Sequence, residues 1–149
     1  MSKCGLALIT GASRGIGLAI AKKMIAEGYA VIGTATSATG AAFIEKELGE
    51  DGAEAHGLVL NVSNKADIEK FLNQLTEKEL SPSILINNAG ITRDNLLLRM
   101  KDDEWNDVIN ANLNSIFLLT KVLIKPMVKA RFGRIISVTS VVGGAGNAG

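Results

Sequence analysis

The segment 9–17 constrains this chain more than any other feature, because it joins a short apolar run to a helical pattern through three glycines. Gly11, Gly15 and Gly17 follow the spacing G-x-x-x-G-x-G. Glycine lets the backbone turn tightly and approach a phosphate, while the N–H groups and positive dipole end of the next helix attract negative charge. The segment therefore predicts a cradle for the pyrophosphate of a dinucleotide.

A glycine-rich turn can also serve close packing alone, so the flanking residues matter. The run Leu6–Ile9 before the turn indicates a buried strand, and apolar residues recur at helical spacing over residues 18–25 after it. Strand, turn and helix stand in the order that a nucleotide cradle requires. Close packing without a ligand remains the alternative.

The composition indicates one globular domain that acts on small molecules. The chain has 149 residues, of which 47% are hydrophobic and 21% charged, and this is too short for two ordinary domains. Sixteen basic and fifteen acidic residues leave a net charge of +1, which gives no reason to expect a nucleic-acid partner. The N-terminus lacks a signal-peptide core, and the apolar runs are only strand-length. We expect a cytoplasmic protein with no membrane partner.

Metal and triad chemistry are disfavoured. His56 is the only histidine and Cys4 the only cysteine, so neither a zinc cluster nor a Ser-His-Asp triad can be assembled. We expect Cys4 to be an ordinary thiol without a disulfide. His56 is predicted at the start of a middle strand, and no metal site is predicted.

Five short apolar runs alternate with helical patterns along the chain. The predicted strands cover residues 6–9, 29–34, 55–60, 84–87 and 134–138. The first helix follows the glycine turn, and the others cover 41–48, 65–75 with Ser63-Asn64 as the N-cap, and 102–129, where Pro126 kinks or ends the last turns. Strands separated by helices pair in parallel through right-handed crossovers, so the pattern predicts a doubly wound parallel α/β sheet of Rossmann type.

Ligands of such sheets bind beyond the carboxyl ends of the strands. Four segments and one serine of this chain fall at those ends: 11–17, 34–37, 61–62, 87–90 and Ser140. We therefore expect the site residues to converge on one edge of the sheet.

The end of the second strand selects the cofactor. An NAD site usually has an acidic residue there, which binds the ribose diol of the adenosine. This chain has Thr36-Ser37 and no acid, so the 2′-phosphate of NADPH meets no repulsion and could be bound by Arg14 and the two hydroxyls. NADPH is predicted over NADH, and the missing acid also disfavours an S-adenosylmethionine site. The alternative for Arg14 is a solvated loop charge.

The motif 10–17, together with Asn87-Asn88-Ala89-Gly90, resembles the short-chain dehydrogenase/reductase family. Segments 91–97, 105–108 and 133–136 resemble its branch of bacterial 3-oxoacyl-[acyl-carrier-protein] reductases, and the likeness extends over the whole chain. The resemblance implies an NADPH-dependent homotetramer that reduces the 3-oxoacyl-carrier-protein thioester to the (R)-3-hydroxyacyl product in type II fatty-acid synthesis.

The resemblance also implies which residues contact NADPH. They lie in the glycine turn, at the ends of the second and third strands and in the Asn-Asn-Ala-Gly turn: Gly11, Ala12, Ser13, Arg14, Gly15, Ile16, Gly17, Thr36, Asn61, Val62, Asn88, Ala89 and Gly90. Asn61 stands where relatives often have Asp. Asn88 would line the nicotinamide ribose, brace adjacent strand ends, or do both.

The same resemblance assigns catalytic and partner residues. Ser140, rather than Ser137, matches the serine that holds the substrate oxygen as alkoxide charge develops. Asn112 matches an asparagine that binds a water feeding protons to the acid, although it could instead ease a helix kink. Lys129 and Arg131 resemble a basic surface for acidic carrier protein, and ordinary solvation explains them equally well.

The chain departs from the family at its end. The family's Tyr-x-x-x-Lys pair follows the serine loop, whereas these residues stop at 149, and the only tyrosine, Tyr29, has Gly33 four residues later. We expect a sheet truncated after the fifth strand, in one NADP-binding domain over 1–149 that is incomplete at its C-terminal side and inactive alone. Two alternatives remain: a parent that reduces acetoacetyl-coenzyme A or another carbonyl, and a non-catalytic nucleotide-binding fragment.

Overall fold

The computed structural model describes residues 4–146, so both ends of the predicted domain, 1–3 and 147–149, lie outside the described residues. Five strands are formed: β1 Leu6–Ile9, β2 Ala30–Ala35, β3 Ala55–Val59, β4 Ile84–Asn87 and β5 Arg134–Ser137. The helices are α1 Gly15–Ala26, α2 Ala38–Gly49, α3 Lys65–Glu77, α4 Asp102–Ile109, α5 Ser115–Ala130 and the short α6 Val142–Ala145. Single 3₁₀ turns cover Glu50–Gly52 and Leu97–Arg99, and a π-type turn, Asn110–Asn114, joins α4 to α5.

The strands form one parallel sheet in the order β3-β2-β1-β4-β5, which confirms the predicted Rossmann-like α/β architecture. The chain runs outward from the central β1 to β3 and then crosses to β4, so the order reverses between β1 and β4. A ligand crevice opens at such a reversal. His56 is the second residue of β3, as expected near a strand start, but β3 is an edge strand rather than a middle one because the third strand extends the sheet outward.

The core has two layers, one on each face of the sheet. Alternate strand residues supply the two faces, since Leu8 belongs to one layer while Ala7 and Ile9 belong to the other. The first layer packs under α3 and α5, and its members include Leu8, Ile32, Phe71, Leu85, Leu119 and Leu123. The second packs under α1 and α2, and its members include Ala7, Ile9, Val31, Ile44 and Ile86. Each fully buried side chain of this size contributes about 1.5–3 kcal/mol relative to exposure, so both faces are firmly covered.

Several helix boundaries differ from the predicted ones for local reasons. α2 begins at Ala38, earlier than expected, because the Ser37 hydroxyl accepts a hydrogen bond from the Gly40 N–H at 3.1 Å and caps the helix. Asn64 caps α3 as predicted, its side chain accepting from the N–H groups of Ala66 and Asp67. Pro126 does not end α5, which continues to Ala130.

The long predicted helix over 102–129 is interrupted in the structure. The π-type turn Asn110–Asn114 separates α4 from α5, and the Ser115 hydroxyl donates to the Ala111 carbonyl at 2.6 Å beside it. By length and composition alone, the helical stretch Asp102–Ala130 could span a membrane. This is weak evidence, because the core helix of a soluble protein meets the same criterion and α5 buries Leu119, Leu123 and Met127.

The loop that follows β4 is attached to α4 through two carboxylates. Arg93 Nε donates to Asp107 Oδ2 at 3.2 Å, and Asn95 Nδ2 donates to Glu104 Oε2 at 3.1 Å. The Lys101 N–H also donates to Glu104 Oε2, at 2.8 Å. These hydrogen bonds lower the pKa of Glu104 below its ordinary value of 4.5. The bond from the Lys101 N–H has the larger effect, and the bond from the Asn95 amide has the second largest. The ionised Glu104 therefore caps α4 and holds the loop.

The lowered pKa of Glu104 predicts an acid-sensitive loop. The ionised carboxylate stabilises the fold fully above its ordinary pKa of 4.5, and this contribution is lost as the pH falls through the lower folded-state pKa. Trp105, the only tryptophan, is the neighbouring residue and half-exposed, so its fluorescence should report the transition. We expect an acid titration of Trp105 fluorescence with a midpoint below 4.5 that Glu104→Gln removes.

A matched control is available on α1. Glu27 also has a lowered pKa, caused by its hydrogen bond and charge interaction with Lys23, but it lies on a different helix. Glu27→Gln should leave the Trp105 titration unchanged. An identical titration in Glu104→Gln and the parent protein would contradict the assignment.

Candidate functional site

The glycine turn after β1 has a backbone that only its glycines allow. Gly11 and Gly15 adopt left-handed conformations, with φ of +67° and +57°. At Gly17 a Cβ atom would lie 2.2 Å from the Gly11 carbonyl oxygen and 2.6 Å from Asn88 Nδ2. The spacing of the three glycines therefore follows from the shape of the turn.

The turn leaves a run of N–H groups without acceptors. The first hydrogen bond of α1 joins the Leu18 N–H to the Arg14 carbonyl at 3.3 Å, and within residues 4–146 the N–H groups of residues 13–17 have no protein acceptor. The first turn of α1 carries no acidic residue. Five free donors at the positive end of a helix dipole fit a diphosphate.

Thr10 and Asn88 join this turn to the end of β4. The Thr10 hydroxyl accepts from the N–H groups of Asn88 and Ala89, both at 3.0 Å. Asn88 Nδ2 donates in return to the carbonyls of Thr10, at 3.0 Å, and Gly11, at 3.1 Å. Asn88 thus braces adjacent strand ends, one of the two roles considered for it. Sequence alone does not single out Thr10 as a site residue, although a hydroxyl directly after a buried apolar run indicates a polar group at a strand end.

Thr34 joins the same turn to β2 on the other side. Its hydroxyl accepts from the Gly11 N–H at 3.3 Å, and its carbonyl accepts from the Ala12 N–H at 2.8 Å. Thr34 is only 1% exposed; the sequence placed it in the strand-end segment 34–37 but gave it no role of its own. The glycine turn is therefore held from β2 and from β4.

The predicted adenosine residues surround a cleft at the ends of β2 and β3. Exposed Thr36 lines a cavity of about 300 Å³ together with Asn61, Asp67, Lys70 and Phe71. Asn61 Oδ1 accepts from the Ser63 N–H at 3.1 Å, which fixes its amide, and Val62 is buried beside it. The side chain of Arg14 is exposed and has no hydrogen bond or ion pair within residues 4–146. It is therefore available to an anionic ligand.

The two candidate serines differ in their surroundings. Ser140 is exposed in the turn beyond β5, and its hydroxyl accepts only a long hydrogen bond, 3.4 Å, from the Val142 N–H. Ser137 ends β5, where its hydroxyl accepts from Asn87 Nδ2 at 3.5 Å. Because Val138 N–H donates to the Asn87 carbonyl at 2.9 Å, the chain leading to Ser140 starts beside the end of β4. The choice of Ser140 over Ser137 as the catalytic serine stays a prediction.

Asn112 anchors the loop that follows the Asn-Asn-Ala-Gly turn. Its Oδ1 accepts from the Ile91 N–H and its Nδ2 donates to the Ile91 carbonyl, both at 2.9 Å. A Cβ atom at Gly90 would lie 3.1 Å from Asn112 Oδ1, so the two segments are in close contact. Asn112 lies in the π-type turn between α4 and α5, the place at which the predicted long helix is interrupted.

Lys129 and Arg131 lie at the C-terminal end of α5, where Arg131 ends the helix in a left-handed conformation, φ 53°. An apolar groove of about 350 Å³ begins there, and its lining consists of Ile124, Met127, Val128, Phe132, Ile135, Gly133, Arg131 and Arg134. The Arg134 guanidinium lies 5.2 Å from the Phe132 ring centre. The predicted basic surface thus borders an apolar one.

Comparison with known proteins agrees with this geometry. The family model of the short chain dehydrogenases matches residues 5–149. The 3-oxoacyl-[acyl-carrier-protein] reductase FabG of Salmonella typhimurium is 56% identical over 144 residues, which are 97% of this chain and 58% of that protein. The FabG proteins of Pseudomonas aeruginosa and Escherichia coli are 56% and 55% identical over the same shares. The chain therefore spans 58% of the length of these curated relatives.

The shape of the glycine turn predicts the effect of one added methyl group. In Gly17→Ala the new Cβ would meet the Gly11 carbonyl and Asn88 Nδ2, so the turn must open. Overpacking of this kind costs about 1–3 kcal/mol, and we expect the dissociation constant for a dinucleotide to rise roughly tenfold to a hundredfold. Fluorescence titration measures it.

Gly49→Ala is the control for this substitution, because a Cβ atom at Gly49 would meet nothing within 4 Å. It should leave the dissociation constant unchanged. Unaltered nucleotide binding by Gly17→Ala would show that the glycine spacing does not serve the ligand.

Proposed function

Because the chain belongs to the short-chain dehydrogenase family, we propose that it forms the cofactor-binding part of an NADPH-dependent 3-oxoacyl-[acyl-carrier-protein] reductase. The family and the sheet imply a nicotinamide cofactor. The observation that carries the proposal is the run of five free N–H groups over residues 13–17 at the start of α1. A pyrophosphate supplies the acceptors that this run lacks.

The described residues divide between the two ends of the cofactor. The glycine turn 11–17 binds the pyrophosphate, and Thr36 and Asn61, which line the 300 Å³ cleft, hold the adenosine together with the adjacent Val62. Asn88, Ala89 and Gly90 border the nicotinamide ribose. The absence of an acid after β2 and the unpaired guanidinium of Arg14 favour NADPH over NADH.

The chemistry is the reduction of a ketone to an alcohol. The glycine turn 11–17 would hold a dinucleotide whose nicotinamide would supply the hydride for the keto carbon. Ser140 donates a hydrogen bond to the carbonyl oxygen, which stabilises the negative charge that develops there, and an acid supplies the proton that completes the hydroxyl group. Tyr29 cannot be that acid. It lies at the amino end of β2, whereas Ser140 lies beyond the carboxyl end of β5, and in a parallel sheet these ends are on opposite sides. The proton donor is the tyrosine of the family's Tyr-x-x-x-Lys pair.

Asn112 supports this chemistry by holding a loop in place. Its Oδ1 and Nδ2 each make one hydrogen bond to the main chain of Ile91, so one amide N–H and one lone pair of Oδ1 have no partner within residues 4–146. The bonds fix the segment that follows Gly90 and hence the nicotinamide side of the crevice. These remaining groups of Asn112 would bind the water that feeds protons to the acid.

The substrate is a carrier-protein thioester, as the names of the relatives state for those proteins. Lys129 and Arg131 lie beside the apolar groove and suit an acidic partner with apolar side chains. The location and assembly in this proposal are those that the family resemblance implies, a homotetramer in the cytoplasm.

The role of Arg14 predicts a selective change in cofactor use. In a protein of the relatives' full length that carries this sequence, Arg14→Ala should weaken NADPH about tenfold to a hundredfold, the value of a charge-assisted contact, and NADH much less. Steady-state kinetics with both cofactors measure this. An equal loss with NADPH and NADH would refute Arg14 as the residue that binds the 2′-phosphate.

The assignment of Ser140 predicts a loss of turnover without a loss of binding. In the same full-length protein, Ser140→Ala should lower kcat by about 10²–10³, the usual effect of removing one oxyanion donor, with little change in NADPH affinity. Ser137→Ala is the matched control, because Ser137 is held by Asn87 within the sheet. A larger loss of kcat in Ser137→Ala than in Ser140→Ala would reverse the assignment.

A further inference from the structure

We propose that Thr34, at the end of β2, is a positioning residue that sets the place of the pyrophosphate cradle relative to the residues that hold the adenosine. This inference rests on the proposed function. Thr34 itself does not touch the cofactor. It acts through Gly11 and Ala12, because it accepts hydrogen bonds from the main-chain N–H groups of both.

The bonds of Thr34 determine where the free donors begin. Gly11 N–H points to the Thr34 hydroxyl and Ala12 N–H to the Thr34 carbonyl, so both point at β2 rather than at a ligand. The next N–H groups, those of residues 13–17, remain free. Two consecutive donors fixed on one buried threonine therefore orient the five that follow.

Regular strand pairing does not reach the turn. The last paired residues of β1 and β2 are Ile9 and Gly33. Beyond them only Thr34 holds the turn to β2 within residues 4–146, once by its main chain and once by its hydroxyl. Replacement of Thr34 by the isosteric valine keeps the first bond and leaves the partly buried Gly11 N–H without an acceptor.

Thr34 also connects the turn to the adenosine side. Thr36 follows it by two residues, and the intervening Ala35 accepts the Leu60 N–H at 2.8 Å, which ties β2 to the chain just before Asn61. A shift of Gly11 away from Thr34 would therefore move the donor run with respect to Thr36 and Asn61. The end of β2 therefore sets the distance between the pyrophosphate cradle and the adenosine cleft.

The test compares three variants of the full-length protein: Thr34→Val, Thr34→Ser and, as control, Thr120→Val. The hydroxyl of Thr120, on α5, is buried and has no partner within residues 4–146. NADPH and NADH are titrated by fluorescence, and kcat is measured at saturating NADPH. Thr34→Val should raise both dissociation constants about threefold to tenfold, the net effect of one hydrogen bond, because both cofactors share the pyrophosphate. kcat should be unchanged.

Urea unfolding separates positioning from mere stability. Thr34→Ser keeps the hydroxyl and loses a buried methyl group, so it should lower the unfolding midpoint yet bind both nucleotides as the parent does. Thr34→Val should bind worse without a comparable loss of stability. Thr120→Val should change neither dissociation constant.

The outcomes distinguish the two levels of the proposal. Unchanged dissociation constants in Thr34→Val, or weak binding by Thr34→Ser, would overturn the role of Thr34 while the parent still binds NADPH. A parent protein that binds neither nucleotide would overturn the proposed function itself. A loss confined to NADPH would place the effect of Thr34 at the 2′-phosphate alone and would also overturn the inference.

Discussion

The hydrogen bonds between Thr10 and Asn88 hold together the ends of β1 and β4, the two strands between which the strand order reverses. The Thr10 hydroxyl accepts two main-chain N–H groups, and the Asn88 amide returns two bonds to main-chain carbonyls. Leaving such a partly buried group unpaired costs about 1–3 kcal/mol, so the crevice cannot widen there without losing several bonds together. The junction therefore fixes the glycine turn and the Asn-Asn-Ala-Gly turn relative to each other.

The same junction explains why the glycine motif has two causes that sequence alone could not separate. A side chain at Gly17 would collide with the Asn88 amide and with the Gly11 carbonyl, which is the close-packing explanation. The tight packing also turns the N–H groups of residues 13–17 away from protein acceptors, which is the ligand explanation. Close packing and anion binding are therefore consequences of one geometry.

The sequence predicted those parts of the fold that depend on local pattern. β1 and β4 were placed to the residue, because each is a buried apolar run with a sharp polar boundary. The π-type turn Asn110–Asn114 could not be predicted, since the apolar spacing continues through it and no glycine or proline marks it. The hydroxyl roles of Thr10 and Thr34 depend on partners 78 and 23 residues distant in the chain, which only the folded sheet brings near.

The two halves of the candidate site differ in how firmly the described residues hold them. The glycine turn is bonded to β2 through Thr34 and to β4 through Asn88, on both sides of Gly11. The Ser140 side chain has one hydrogen bond, 3.4 Å long, on an exposed turn beyond β5, whose four residues are all exposed. The parallel sheet therefore holds the glycine turn from two sides, whereas within residues 4–146 one long hydrogen bond is all that holds the Ser140 hydroxyl.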